Sequence, residues 1–333
     1  MRIFSSTAAL ILTLAISAPS FTASAEKYQN PVINNDAPDP TVLRDDDGVY
    51  YLYSTEYGHK LPIYRSEDLV NWVPVGSAFT KEGWPKMVPG GGVWAPEIRK
   101  IGDTYYLYYS KSKWGGEWEC GIGVATAKSP TGPFTDHGKL FISKEIGVQN
   151  SIDQFYWEEN GKKYLFWGSF HGINGIELAP DGLSIAKGAK PIQIAGTLTE
   201  GTCLVKKDGY YYLIGSAGSC CEGLKSTYRV VVARSKDLFG PYVDREGKPA
   251  MENNFSLIMK GNSAVHGPGH NSILVQDDAG DYWMIYHGFD AKQPEAGRKA
   301  YLDKIVWDKE GWPTIAGEQP SAEATAPVIN KKK

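Results

Sequence analysis

The segment Val49-Tyr50-Tyr51-Leu52-Tyr53-Ser54 returns four times in variant form further along the chain. The copies are Thr104-Tyr105-Tyr106-Leu107-Tyr108-Tyr109, Lys163-Tyr164-Leu165-Phe166-Trp167-Gly168, Tyr210-Tyr211-Tyr212-Leu213-Ile214-Gly215 and Asp281-Tyr282-Trp283-Met284-Ile285-Tyr286. Aromatic and β-branched side chains fit a pleated, half-buried surface, so each copy reads as a strand. Four follow a glycine closely (Gly48, Gly161, Gly209, Gly280) and the fifth follows Gly102-Asp103, which are hairpin turn signals.

A short strand precedes each turn: Thr41-Val42-Leu43, Glu97-Ile98-Arg99, Gln154-Phe155-Tyr156, Cys203-Leu204-Val205 and Ser272-Ile273-Leu274. A third follows, for example Ile63-Tyr64-Arg65-Ser66, Val124-Ala125-Thr126 and Val231-Val232-Ala233-Arg234. Each unit is therefore a meander of three or four antiparallel strands, and the spacing of the units matches propeller blades. The expected fold is all-β, a five-bladed β-propeller. No linker rich in Pro or Ser divides it, so residues 26–333 are expected to form one domain.

The repeat also locates the chemistry. Asp39, Trp94, Asp153 and Glu200 each stand eleven residues before the tyrosines Tyr50, Tyr105, Tyr164 and Tyr211, and His270 stands twelve before Tyr282. The innermost strands of a propeller line its central channel. Equivalent positions on five blades then converge on one ring carrying Asp, Trp, Asp, Glu and His.

The bulk properties narrow the classes. The 333 residues are 42% hydrophobic and 22% charged, with net charge −3, 20 Tyr and 10 Trp. A near-neutral balance argues against nucleic acid as a partner, because phosphate recognition needs clustered Lys and Arg. Exposed aromatics suit sugars, whose apolar faces pack on rings. Residues 1–25 read as a signal peptide: Arg2 supplies the positive start, Ala8 to Ile16 the apolar stretch, and Ala23-Ser24-Ala25 the cleavage site. The apolar run is too short to span a bilayer. The product is expected to be periplasmic or extracellular, and monomeric. Export permits disulfides. Cys220 and Cys221 form either a vicinal disulfide or two free thiols.

Each acid alone could simply cap a turn. Three at one repeat position point instead to a functional site, where perturbed acids cluster. Two carboxyls flanking a bond suffice for glycoside hydrolysis, one as proton donor and one acting on water or attacking directly. A third can raise the donor's pKa. Trp94 would supply a stacking wall. His270 could bind a cation, and because calcium prefers oxygen ligands, such an ion would be mostly hydrated.

The ordered segments Ala37-Pro38-Asp39-Pro40-Thr41, Val93-Trp94-Ala95-Pro96-Glu97-Ile98, Asn150-Ser151-Ile152-Asp153, Trp167-Gly168-Ser169-Phe170, Glu200-Gly201-Thr202 and Gly267-Pro268-Gly269-His270 carry a resemblance. The chain resembles glycoside hydrolase family 43, and within it the arabinanases and α-L-arabinofuranosidases, from about Asn30 to Asp308. The resemblance implies an inverting enzyme acting on α-L-arabinofuranosidic bonds of plant-type polysaccharide or oligosaccharide. It implies Asp39 as general base, Glu200 as general acid and Asp153 as the residue that tunes and orients the acid. It further implies that Trp94, Asn150, Ser169, Phe170 and Arg298 bind substrate, and that a calcium or other cation sits near His270. No organic cofactor is expected. Gln154 departs from the family, where many members have proline. The rival readings are a β-xylosidase-type or fructan-processing enzyme of the same fold, and a sugar-binding propeller without catalysis.

Overall fold

The computed structural model describes residues 26–330. The expected leader and the Lys331–Lys333 tail lie outside them. The chain forms five antiparallel sheets arranged as a five-bladed β-propeller. Blade one comprises Thr41–Arg44, Tyr50–Tyr53, Pro62–Ser66 and Val73–Ser77, and blade two comprises Gly92–Ile101, Thr104–Ser112, Gly121–Ala127 and Thr135–Ile142. Blade three comprises Phe155–Glu159, Lys162–Trp167, Ile173–Leu178 and Ile192–Ala195, and blade four Thr199–Lys207, Tyr210–Ala217, Arg229–Ser235 and Ser256–Lys260. Each tyrosine segment of the repeat is a second strand, as the turn signals imply.

Blade five departs from the expected pattern. Ser272–Leu274 is not a continuous inner strand. Val265–Gly269 and Val275–Gln276 both pair with Tyr282–Asp290, which continues to Arg298–Trp307 and Pro313–Ile315. The Ser272 N–H still reaches the Ile285 carbonyl, so the ladder is interrupted rather than absent.

The core lies between the sheets. Most of the repeat tyrosines are buried there, including Tyr50, Tyr53, Tyr108, Tyr109, Tyr212 and Tyr286. Tyr108 of blade two stacks on Tyr156 of blade three, with ring centroids 5.6 Å apart. Tyr212 of blade four meets Trp307 of blade five edge-on at 5.1 Å. The tyrosine richness therefore serves blade-to-blade packing. At the hairpin end, Arg44 pairs with Asp278 of blade five at 2.6 Å, and Lys100 and Tyr105 both bond Asp45 of blade one, at 2.7 and 2.6 Å. Partly exposed pairs of this kind add at most about 1 kcal/mol each, so the apolar interfaces dominate.

The ring is closed by the chain termini. Lys27–Gln29 pairs with Glu323–Thr325, and its alternating burial turns Tyr28 inward onto Trp283. Asn30 then fastens this strand to blade five. Its Nδ2 donates to the Leu302 and Ser321 carbonyls at 2.8 and 3.1 Å, and its Oδ1 accepts the Leu302 N–H at 2.9 Å. Asn30→Ala should leave the Leu302 N–H without this partner and cost about 1–3 kcal/mol. A urea unfolding curve with a lowered midpoint and unchanged slope is the expected result.

Candidate active site

The mouth of the channel is set by a backbone feature that repeats once per blade. Asp39, Ala95, Asp153, Gly201 and His270 all adopt left-handed backbone angles, with φ of 54°, 40°, 61°, 61° and 44°. These are the equivalent positions of the five inner strands. Trp94 and Glu200 therefore sit one residue ahead of the position that counting assigns them. The cause is a bulge: pairing shifts register between Trp94 and Glu97 in blade two and between Glu200 and Cys203 in blade four. The extra residue pushes Trp94 and Glu200 up the channel wall.

A left-handed residue turns its N–H out of its own strand ladder, and a buried N–H needs an acceptor. The neighbouring blade supplies it. The N–H of Ala95 donates to Thr55 Oγ1 at 2.8 Å, that of Asp153 to Ser110 Oγ at 2.9 Å, that of His270 to Ser216 Oγ at 2.8 Å and that of Asp39 to His287 Nδ1 at 3.0 Å. At the junction of blades three and four the Gly201 N–H instead faces the Asp153 carboxylate and favours its charged form. Ser169, which stands where the other blades place their acceptor, is thereby free to donate to Glu200 Oε2 at 2.5 Å.

The three carboxyls receive different treatment. Burial opposes the ionisation of Asp39, but the Arg298 guanidinium, 2.9 Å from Oδ1, together with His270 and His287 outweighs it and holds Asp39 well below the usual carboxylate range. Thr55 donates to the other oxygen at 2.6 Å. Burial raises Asp153 well above its usual value, and the charges of Glu200 and Asp39 add to this. Burial also raises Glu200, against the opposing hydrogen bonds from Ser169 and from the Tyr228 hydroxyl, 2.7 Å from Oε1. Asp153 and Glu200 titrate as a pair. The site thus sets one carboxyl biased towards ionisation across from two biased towards their protonated forms.

His287 is fully buried, and burial lowers its pKa to about 4. Its Nδ1 accepts the Asp39 N–H at 3.0 Å and lies 3.2 Å from Asp39 Oδ1. Tyr228 stacks on this ring at 5.7 Å, so the side chain that holds Glu200 also packs on the side chain that holds Asp39.

All nine side chains expected at the site line one cleft of about 670 Å³: Asp39, Trp94, Asn150, Asp153, Ser169, Phe170, Glu200, His270 and Arg298. The Arg298 guanidinium is the partner of Asp39. Asn150 Nδ2 donates to Ser169 Oγ at 3.0 Å and so orients the hydroxyl that reaches Glu200. His270 Nδ1 lies 3.4 Å from Asp39 Oδ1. Gln154 is a strut between blades: its Nε2 donates to the Ala95 and Tyr108 carbonyls and its Oε1 accepts from Ser110. Cys220 and Cys221 form a vicinal disulfide in the cleft wall, which resolves the two alternatives.

Sequence reasoning assigned no site role to Thr55, Tyr228 and His287, or to the exposed Trp114, which meets Trp94 at 6.4 Å. A signal for some of these was present. Thr55, Ser110, Ser169, Ser216 and His287 each stand five residues after the repeat tyrosine, so the count that finds the acids also finds their neighbours. Tyr228 and Trp114 lie in loops of unequal length and carry no such signal.

The family model for glycosyl hydrolases family 43 matches residues 28–313. An extracellular exo-α-(1→5)-L-arabinofuranosidase of Cellvibrio japonicus is 33% identical over 305 residues, covering 84% of this chain and 86% of that protein. An extracellular endo-α-(1→5)-L-arabinanase of Bacillus subtilis is 31% identical, covering 83% and 86%. The structure of a Cellvibrio cellulosa α-L-arabinanase complexed with arabinohexaose superposes with a TM-score of 0.76 at 32% identity, covering 84% of this chain and 95% of that one.

The Tyr228 hydroxyl stabilises the charged form of Glu200, so its removal should favour the proton. Tyr228→Phe should raise the apparent pKa of Glu200, read as an upward shift in the ¹³C titration of its carboxyl carbon.

Proposed function

Because the chain belongs to glycosyl hydrolases family 43, we propose that it is an exported, inverting hydrolase of α-1,5-linked L-arabinofuranosyl bonds in arabinan or arabino-oligosaccharides. The observation that carries this reading is the electrostatic division within one cleft: Asp39 is held ionised by Arg298, whereas Asp153 and Glu200 are pushed towards their protonated forms. An ionised carboxylate facing a protonated one is what single-step hydrolysis through water requires. Asp39 takes a proton from a water whose oxygen attacks the anomeric carbon. As the glycosidic bond breaks, the Glu200 proton passes to the departing oxygen. Asp153 keeps that proton in place until then, because two adjacent carboxylates resist ionising together. Trp94, Asn150 and Phe170 line the walls against which the sugar is positioned. The relatives that cover most of the chain, and that are named for arabinan or arabinofuranosides, support the choice of sugar. Their extracellular naming supports export through the leader at residues 1–25.

A cation remains part of this proposal. Among the described residues no three His, Cys, Asp or Glu side chains converge as ligands. His270 is the nitrogen on offer, through the ring atom that does not face Asp39, and water would complete the shell of a calcium ion there. Its charge would reinforce Arg298 in keeping Asp39 ionised.

Linear arabinan tests the reading. The protein should release arabinose or short arabino-oligosaccharides, with the new reducing end first appearing as the inverted anomer by ¹H NMR. Glu200→Gln should reduce turnover on arabinan by about 10²–10⁴-fold while largely retaining sugar binding. Turnover near that of the unmodified protein would remove Glu200 from the role of acid. The pH profile provides a second check. Arg298→Ala removes the charge that depresses Asp39, so the Asp39 pKa should rise. Since the base works only when ionised, the acidic limb of kcat/KM should move to higher pH.

A further inference from the structure

The loop Gly218–Glu222 leaves the second strand of blade four, Tyr210–Ala217, and all five of its residues line the cleft. Its centre is the Cys220–Cys221 disulfide, with Cys220 half-buried and Cys221 exposed. The turn is held firmly. Ser219 accepts the N–H groups of Thr227 and Tyr228 at 3.1 and 3.0 Å on its carbonyl, its own N–H bonds Thr227 Oγ1 at 3.1 Å, and the Glu222 N–H bonds Ser226 Oγ at 2.9 Å. The position of this ring relative to the reacting bond follows from the blades. Glu200 lies on blade four and Asp39 on blade one, two steps away in a ring of five. The proton donor stands on the side of the departing oxygen, and the base with its water stands on the opposite face of the sugar being attacked. The wall above Glu200 is therefore the wall beside the leaving group.

The aromatic lining residues come from other blades: Trp94 and Trp114 from blade two, and Phe170 from the end of blade three. Blade four offers glycine, serine, glutamate and the disulfide. The disulfide is the one apolar surface on this wall, and it lacks strong donors and acceptors that would hold water. The C–H face of a pentose packs on such a surface, with its hydroxyls left to the polar rim. We infer that the Cys220–Cys221 ring is the platform for the leaving-group arabinofuranosyl unit. This rests on the glycosidase reading and on Glu200 as its acid.

The test compares two substrates: linear α-1,5-arabinotriose, and α-L-arabinofuranosyl fluoride, whose one-atom leaving group is too small to reach the disulfide. For the double variant Cys220→Ser/Cys221→Ser, the ratio of kcat/KM for the triose to that for the fluoride should fall about tenfold, mainly through KM. Reducing the unmodified protein with dithiothreitol should reproduce the change, because the remaining cysteines, Cys120 and Cys203, are buried and free. An unchanged ratio overturns the inference. So does an equal loss on both substrates with a lowered Tm, since that would mean the turn acts only by holding Tyr228 and Glu200 in place. If the unmodified protein hydrolyses neither compound, the glycosidase reading itself fails. If it hydrolyses both and the ratio is unmoved, only the platform fails.

Discussion

Each inner strand enters the channel through a residue in the left-handed region, and the N–H that this residue turns away from its own sheet must be satisfied by the next blade. That requirement organises the whole mouth of the propeller. Leaving one such buried donor unpaired would cost about 1–3 kcal/mol, and the left-handed angle costs of order 1 kcal/mol or more at each non-glycine position. Summed around the ring, these terms rival the net stability of a domain, about 5–15 kcal/mol. The acceptors Thr55, Ser110, Ser216 and His287 therefore hold neighbouring blades in register at the point where the chemistry is placed.

The one junction that breaks the pattern is where the acids meet. Between blades three and four, a carboxylate stands where the other junctions use a side-chain acceptor: the Gly201 N–H faces Asp153. Ser169 is then released from latching and turns to Glu200. A hydroxyl at the latch position thus serves the neighbouring carboxyl instead of a backbone N–H. Asp153 sits buried beside a second acid with a backbone N–H facing it, and burial together with the nearby carboxyls raises its pKa. Asp39 lies at a junction latched by His287 and carries its own cation in Arg298, so burial does not neutralise it.

Much of this was legible in the chain. The tyrosine repeat gives five blades because each second strand must present aromatic side chains to two neighbouring sheets, and counting from it reaches every acid. The limits of counting are physical. A bulge adds a residue without changing the hydrophobic pattern, so counting sets Trp94 and Glu200 one residue off the left-handed position. Blade five keeps its second strand but loses the continuous inner one, because Ser272–Leu274 carries the apolar pattern of a strand while the chain there leaves the ladder. Tyr228 and Trp114 reach the cleft from loops whose lengths follow no repeat. The pairing of Cys220 with Cys221 depends on a turn conformation that two adjacent letters do not specify.

The bulge in blade four also shows how one fold position yields two kinds of carboxyl. Asp39 and Asp153 occupy the left-handed position itself, so their backbones are tied to the neighbouring blade. In blade four that position belongs to Gly201, whose φ is 61°. A Cβ there would stand 3.1–3.3 Å from the ring and Cα of His270, closer than packing normally allows. Glycine lets the His270 ring approach, and the acid moves one residue back along the strand. There Glu200 has no backbone donor and is held by two hydroxyls, Ser169 and Tyr228. Hydroxyls can accept as readily as they donate, so they hold the carboxyl in place whether or not it carries its proton. A backbone N–H, which can only donate, would serve the charged form alone, whereas each hydroxyl can turn to accept when the carboxyl carries its proton.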